Sequence, residues 1–153
     1  MATSAGLLML RRAPQGLQVL LAHPGGPWWA RRDEGAWSLP KGEVAQGEEP
    51  LAAARREFAE ETGMAPEGPF VPLGEVRQKS GKRVQAWAFV GDFDPAALRS
   101  NSFEMEWPPR SGRLQSFPEV DRVAWFGLEE ARRKLLPAQQ PFIDRLLAAF
   151  NPP

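Results

Sequence analysis

Residues 42–64 read GEVAQGEEPLAAARREFAEETGM, and this acidic stretch is the most informative part of the sequence. Three glutamates fall within five positions of it: Glu57, Glu60 and Glu61. Pro50 suits the first turn of a helix and Gly63 suits the left-handed residue that ends one, so the stretch predicts a helix. Residues three and four positions apart on a helix are neighbours, and like charges there repel each other. The three carboxylates therefore favour a bound divalent cation, which prefers oxygen ligands.

The predicted helix has a buried face beside its acidic one. At about 100° per residue, Leu51, Ala54 and Phe58 form one stripe, and the glutamates form the neighbouring stripe. Arg56 lies four positions before Glu60, where we expect it to pair with that carboxylate and fix its orientation.

The spacing of the stretch resembles the Nudix box. All seven fixed positions of the box match: Gly42, Glu48, Arg56, Glu57, Glu60, Glu61 and Gly63. With each residue type at roughly 7%, a chance match of seven is on the order of 10⁻⁸ per window. Phe58 and Met64 stand where the family usually has Ile, Leu or Val, and both are apolar.

The resemblance implies an α+β fold in which a mixed β-sheet is layered between α-helices. It also implies a Mg²⁺ cofactor, with Mn²⁺ as an alternative, held by Glu57, Glu60 and Glu61 and by a backbone carbonyl near Lys41 and Gly42. The resemblance leaves open whether Glu60 or Glu61 is instead the base that acts on water, because family members differ in this role. Arg56 is expected to orient the glutamates, and Glu48 to hold the loop to the helix.

Composition sets the broad class of the chain. Its 153 residues predict one domain spanning 1–153, long enough to bury a sizeable core. The 19 basic and 19 acidic residues cancel, which argues against general nucleic-acid or membrane-surface binding. Cysteine is absent, so no thiol chemistry is available. No apolar run approaches the length of a membrane span, and the start of the chain lacks the features of a signal peptide, so we expect cytoplasmic residence.

Hydrophobic periodicity predicts the other elements. Strands are expected at residues 5–12 and 17–23, joined as a hairpin, at 70–77 and 82–93, also paired, and at 120–126. Helices are expected at residues 128–136 and 141–150. Residues 101–118 show no clear periodicity and are interpreted as a long loop, which in a compact domain is often functional.

Several residues outside the box are candidates for substrate binding. Trp28 and Trp107 could stack a base. Arg31, three positions after Trp28, is also a candidate for substrate binding, and Lys41 could bind phosphate oxygens. A further acid could come from Glu104, Glu106 or Glu119. His23, the only histidine, is interpreted as structural.

The predicted reaction is Mg²⁺-dependent hydrolysis of a diphosphate linkage in a nucleoside diphosphate derivative. The substrate expected first is a nucleoside triphosphate or a dinucleoside polyphosphate. Residues 37–42, WSLPKG, are similar to the lead-in of Nudix enzymes that act on dinucleoside polyphosphates or diphosphoinositol polyphosphates. The tyrosine that generally stacks diadenosine tetraphosphate is missing, because the chain has no tyrosine. A basic pocket for an inositol pyrophosphate could use Lys79, Lys82, Arg83, Arg31 and Arg32. The last alternative is a non-catalytic Nudix-fold module that binds a nucleotide or RNA.

Overall fold

A mixed sheet lies at the centre of the computed structural model, which describes residues 3–150. The strands in this part of the chain are β1 (Thr3–Ala13), β2 (Gly16–Pro24), β3 (Lys41–Glu43), β4 (Val71–Arg77), β5 (Arg83–Val90), β6 (Ser102–Glu106), β7 (Leu114–Pro118) and β8 (Val120–Gly127). The main sheet has the order β4-β5-β1-β2-β8, and β3 pairs with the start of β1. β1 runs parallel to β5, and the other pairs are antiparallel.

Helices cover both faces of the sheet. They are α1 (Pro50–Thr62), α2 (Leu128–Lys134) and α3 (Pro141–Phe150), and a 3-10 turn (Pro137–Gln139) joins the last two. Side chains alternate between the faces of a strand, so Leu7 of β1 packs in one core cluster with Phe58 of α1, while Leu8 packs in the other with Phe142 of α3. This arrangement confirms the α+β fold with a layered mixed sheet. No helix within residues 3–150 has the length and apolar character needed to cross a bilayer.

The elements predicted from periodicity are confirmed. The first two strands form the expected hairpin, β4 and β5 pair, and β8 leads into α2. α1 begins at Pro50 and is closed by Gly63, whose φ of 85° is the left-handed conformation that glycine adopts without strain. Ala54 and Phe58 are buried on the predicted apolar stripe, and Leu51 is half-buried beside them.

The interpretation of residues 101–118 as a loop is wrong. β6 and β7 pair with each other, with Phe103 opposite Phe117, and form a separate two-stranded sheet. Phe103, Met105 and Trp107 are half-buried, whereas the residues between them are exposed. Their spacing of two is the signal that identifies β6. Each strand has only five residues, and two prolines interrupt the turn, so the periodicity extends over too short a stretch to stand out.

The residues just before β3 pack closely against β1. Gly6 of β1 allows this close approach, because a Cβ there would lie 2.1 Å from Leu39 Cδ1 and 2.5 Å from the Pro40 oxygen. From the other side, the buried side chain of Gln139 accepts a hydrogen bond from Leu39 N (3.1 Å) and donates one to Ser38 Oγ (3.0 Å). The backbone just before β3 is therefore held on two sides.

Candidate active site

The contact between β3 and α1 brings the predicted glycine and glutamates together. β3 is held by its ladder with β1, and α1 is held by its buried face on the sheet. The Glu57 carboxyl group lies against the backbone of Gly42, where a Cβ atom would come within 2.0 Å of its Cδ. Glycine at position 42 thus allows the Glu57 carboxylate to lie against this backbone, and any larger residue would force the carboxylate to move.

Arg56 is the centre of the hydrogen-bond network. Its guanidinium donates two bonds to Glu48, from Nε to Oε2 (2.9 Å) and from Nη2 to Oε1 (3.0 Å). Nη1 donates to Glu57 Oε1 at 2.8 Å and, more weakly, to both carboxylate oxygens of Glu60 at 3.3 Å. Nη2 also reaches the carbonyl oxygen of Glu43 at 3.2 Å. One side chain therefore orients two of the predicted ligands and ties β3 and its following loop to α1.

Glu48 has the structural contacts that the sequence predicted for it. Besides Arg56, it accepts a hydrogen bond from Ala45 N at 3.0 Å, which closes the loop before α1. The hydrogen bonds from Arg56 and then from Ala45 lower the pKa of Glu48 to about 2. Glu48 is therefore ionised and fully engaged near neutral pH.

The acids at the centre of the site are poorly solvated. Burial, followed by the charge of Glu57, raises the pKa of Glu61 to about 8, although Lys41 opposes this rise. Burial also raises the pKa of Glu57, against the effect of Arg56. Burial lowers the pKa of Lys41, and Glu61 opposes that change. A cavity at this site is lined by five carboxyl side chains, those of Glu43, Glu57, Glu60, Glu61 and Glu119, against three nearby cationic ones, those of Lys41, Arg56 and Lys82. This excess of acidic groups favours a further cation.

Two adjoining cavities form a cleft over these residues. The first has a volume of about 300 Å³ and is lined by Lys41, Gly42, Glu43, Glu57, Glu60, Glu61, Asn101 and Glu119. The second has a volume of about 190 Å³ and is lined by Ala22, Pro24, Ser38, Leu39, Lys41, Glu61, Glu119 and Val120. Lys41, Glu61 and Glu119 line both cavities, so these three residues lie where the cavities meet.

Glu119 is the acid from outside the box that reaches the cleft. It lies directly before β8, where its N–H donates to Asn101 O (2.8 Å) and its carbonyl accepts from Gly25 N (2.9 Å). Glu106 instead accepts hydrogen bonds from two backbone N–H groups in the β6–β7 turn, and Glu104 is exposed on β6. Neither of these two lines the cleft. No local pattern in the sequence singles out Glu119, because its place depends on the pairing of β8 with β2.

The donor set fits a hard divalent cation. Carboxylates and the backbone of Gly42 supply only oxygen ligands, and the missing Cβ at Gly42 keeps space beside Glu57. Within residues 3–150, no three acidic, histidine or cysteine side chains converge tightly enough to form a ready-made metal centre. In particular, Glu57 and Glu60 are turned toward Arg56.

The two tryptophans predicted to bind substrate contact each other. The Trp28 ring meets the Trp107 ring edge-on, with centroids 5.1 Å apart, and Trp28 is 60% exposed. Trp28 lies in the loop after β2, and Trp107 directly follows β6. The same loop and strand also approach each other where Gly26 faces the Phe103 ring. Neither tryptophan lines the cleft, and Arg31 is exposed outside it. Of the predicted substrate-binding residues, the structure places only Lys41 in the cleft.

His23 has a structural environment, as the sequence predicted. Its ring is fully buried, with Nδ1 2.9 Å from Asp121 Oδ1 and Nε2 2.6 Å from the Arg32 oxygen. The ring therefore ties the start of β8 to the far end of the loop that carries Trp28.

Comparison with known proteins identifies a family. A family model described as the NUDIX domain matches residues 2–148. The chain is 30% identical to an RNA pyrophosphohydrolase of Caulobacter vibrioides, in an alignment that covers 87% of this chain and 83% of the relative. It is 28% identical to an RNA pyrophosphohydrolase of Rhizobium meliloti, over 75% of this chain and 72% of the relative.

Solved structures show the same fold. The Ap4A hydrolase of C. elegans, in a binary complex, superposes with a TM-score of 0.67 and 20% identity over 97% of both chains. At this identity the likeness establishes the fold.

Proposed function

This chain belongs to the Nudix family and is a hydrolase of phosphoric anhydrides, and we propose that it is a Mg²⁺-dependent pyrophosphohydrolase of nucleotides. The proposed substrate is a nucleoside diphosphate derivative, most of all a nucleoside triphosphate or a dinucleoside polyphosphate. The observation that carries the proposal is the cleft in which Lys41 stands among the carboxylates of α1 and Glu119.

Different residues would bind the cation and contact the phosphates. Glu57, Glu60, Glu61 and the Gly42 backbone would hold Mg²⁺, or Mn²⁺ in its place. The bound ion would neutralise phosphate charge and activate water, which phosphoryl transfer requires more than covalent catalysis. Arg56 is a positioning residue, because it contacts the ligands rather than the phosphates.

Two further residues act on the substrate side of the cleft. Lys41 would contact non-bridging phosphate oxygens, since this residue lies where the two cavities meet. Glu119 lines the same junction and is a candidate acceptor of the proton from water, alongside Glu60 and Glu61.

The aromatic pair supports a nucleotide rather than an inositol substrate. A base inserting beside Trp28 and Trp107 would gain stacking energy, and an inositol has no aromatic ring to stack. The proposed basic pocket for an inositol pyrophosphate is weakened, because Lys82 Nζ lies 3.1 Å from Glu43 Oε1 and Arg83 Nη1 lies 3.6 Å from Glu75 Oε1.

A second candidate substrate is the 5′ end of a triphosphorylated RNA. The names of the two relatives favour it, and the chemistry at the phosphates would be the same. A third possibility, a non-catalytic binding module, is disfavoured because all the box acids are present. Cytoplasmic residence remains a prediction from the sequence.

The test is hydrolysis of a substrate panel with and without Mg²⁺, with the products identified. The panel contains nucleoside triphosphates, a dinucleoside polyphosphate, a 5′-triphosphorylated RNA oligonucleotide and a diphosphoinositol polyphosphate. Glu61→Gln is expected to lower kcat by orders of magnitude, whereas Glu104→Gln on exposed β6 should leave it unchanged. Equal turnover by Glu61→Gln and the wild type would refute the assignment of the site.

The stacking role has its own test. Trp28→Ala is expected to raise KM for nucleotides about tenfold through lost stacking, without lowering stability, because the side chain is mostly exposed. Leu114→Ala removes another exposed apolar side chain, 70% exposed on β7, and serves as the control. A nucleotide KM that is the same in both variants would exclude the aromatic pair from binding.

A further inference from the structure

Asn101 lines the cleft from outside the box. It lies directly before β6, on the wall of the cavity of about 300 Å³ that Glu57, Glu60 and Glu119 also line. Its side chain is the only neutral polar one among the described residues that line this cavity. Asn101 therefore brings to the acidic site a chemical group that neither the box nor Glu119 supplies.

The backbone of Asn101 is fixed between two walls of the cleft. Its N–H donates to the carbonyl oxygen of Glu60 on α1 at 2.8 Å. Its carbonyl oxygen accepts from Glu119 N at 2.8 Å and from Ser100 Oγ at 2.9 Å. Ser100 Oγ in turn accepts from Val120 N at 3.0 Å, at the start of β8. Asn101 thus holds a set position relative to a predicted metal ligand and to the acid outside the box.

The side chain of Asn101 is available to a ligand. The hydrogen bonds that Asn101 makes within residues 3–150 use its backbone, and the residue is exposed where it lines the cavity. A carboxamide offers two N–H donors and carries no charge. Since the backbone is already fixed, binding has only the side-chain torsions of Asn101 to order, which keeps the entropic cost of a contact low.

An anionic ligand in this cavity needs hydrogen-bond donors. Five carboxyl side chains line the cavity, and their charges repel a phosphate group. With these groups ionised, Lys41 and Asn101 are the only described lining residues whose side chains offer an N–H to a phosphate oxygen. A hydrogen bond to an ionised acceptor is shorter and stronger than one between neutral groups. Asn101 is therefore placed to supply a strong contact without adding charge to the site.

We propose that Asn101 is a substrate-contact residue whose side-chain amide donates to a non-bridging phosphate oxygen of the diphosphate linkage. Such an oxygen is anionic before and during the reaction. The contact stabilises bound substrate and transition state alike, so it acts on KM more than on kcat. The inference rests on the proposed pyrophosphohydrolase function and adds to it a residue that binds the phosphates.

A binding experiment tests the contact without catalysis. Methylenediphosphonate, a diphosphate mimic whose bridge cannot be hydrolysed, is titrated with Mg²⁺ into the protein, and NMR spectra follow the Asn101 side-chain amide. That signal should shift in the wild type. The Kd for the mimic should rise about tenfold in Asn101→Leu, which has nearly the same shape without the donors. Ser102→Ala changes the next residue, which is exposed and outside the cleft, and should bind as the wild type does.

Three results of the titration would overturn the proposal. The mimic binds but leaves the Asn101 amide signal unmoved, or it binds Asn101→Leu with wild-type affinity, or it does not bind the wild type at all. The amide shift is measured in the wild type, so it decides the contact even where a substitution disturbs the fold.

Kinetics distinguish a phosphate contact from a metal ligand. In Asn101→Leu, KM for the best substrate of the panel should rise about tenfold, while kcat and the Mg²⁺ concentration for half-maximal activity stay near their wild-type values. Asn101→Asp keeps a side-chain oxygen but loses the donors and adds a negative charge, so KM should rise further. A raised Mg²⁺ requirement in Asn101→Leu that Asn101→Asp restores would make the residue a metal ligand. A fall in kcat alone would make it a residue that positions the acids, and either result contradicts the phosphate contact.

The failure of this inference differs from the failure of the proposed function. Wild-type hydrolysis with a KM that Asn101→Leu leaves unchanged would remove Asn101 from the site and leave the pyrophosphohydrolase standing. If no member of the panel is hydrolysed with Mg²⁺ or Mn²⁺, the proposed function fails, and the titration still decides whether Asn101 contacts a bound diphosphate.

Discussion

Replacing Gly42 by alanine should separate catalysis from folding. The new Cβ would lie 2.0 Å from Glu57 Cδ, and ordinary contact begins at 3.4 Å, so the carboxylate must move by about 1.4 Å. The carboxylate is the end of a flexible side chain, and the backbone of Gly42 is outside the positive-φ region, so the fold should tolerate the change. A displacement of about 1 Å in a catalytic constellation can cost about 100-fold in rate. We therefore expect kcat to fall about 100-fold with little change in unfolding free energy.

The assay pairs steady-state kinetics on the best substrate of the panel with urea unfolding of the same preparations. The matched control is Gly127→Ala, because a Cβ at Gly127 meets no atom within 4 Å and its φ is not positive. A rise in the Mg²⁺ concentration needed for half-maximal activity would locate the defect at the cation. A folded Gly42→Ala protein with kcat close to that of the control would refute the idea that Glu57 must lie against this backbone.

Three other changes test the surroundings of the site. Arg56→Lys loses the paired hydrogen bonds to Glu48 and should lower kcat about tenfold or more, measured with Mg²⁺ at saturation; full activity would contradict the positioning role. Gln139→Leu leaves the buried N–H of Leu39 without its acceptor and should lower the unfolding free energy, measured in urea, by about 1–3 kcal/mol. An unchanged urea midpoint would contradict the importance of this hydrogen bond. Hydrogen bonds from Lys134 and an indole lower the pKa of Asp33 below 3.8. The ionised Asp33 therefore stabilises the fold above pH 3.8, and this stabilisation is lost as pH falls through the lower pKa of the folded state. In Asp33→Asn the urea midpoint should fall less steeply with acid than in the wild type. The same pH profile in both proteins would contradict a stabilising role for Asp33.

The box and its helix could be predicted from sequence because their signals are local. Pro50, Gly63 and the spacing of the glutamates lie within one stretch of chain, and helix geometry converts that spacing directly into neighbours. The role of Arg56 followed from the same periodicity, although its shorter bonds go to Glu48 and Glu57 rather than to Glu60.

The rest of the site depends on contacts between distant parts of the chain. Glu119 reaches the cleft only because β8 pairs with β2, and Gln139 supports Leu39 across 100 positions of sequence. A strand of five residues such as β6 gives too little alternation to be recognised beside prolines. The contact between Trp28 and Trp107 likewise required the hairpin to be known first.

The β6–β7 hairpin contributes no strand to the main sheet, and it joins the body at its base, through Asn101 N to Glu60 O and Glu119 N to Asn101 O. The proposed acidic site and the hairpin thus share a backbone junction, although no residue of β6 or β7 lines the cleft. Because β6 and β7 pair with each other and with no strand of the main sheet, the hairpin can change in length without breaking a pair of that sheet. If Trp107 binds substrate as proposed, exchanging the hairpin should change KM among substrates while the carboxylates of α1 keep their place.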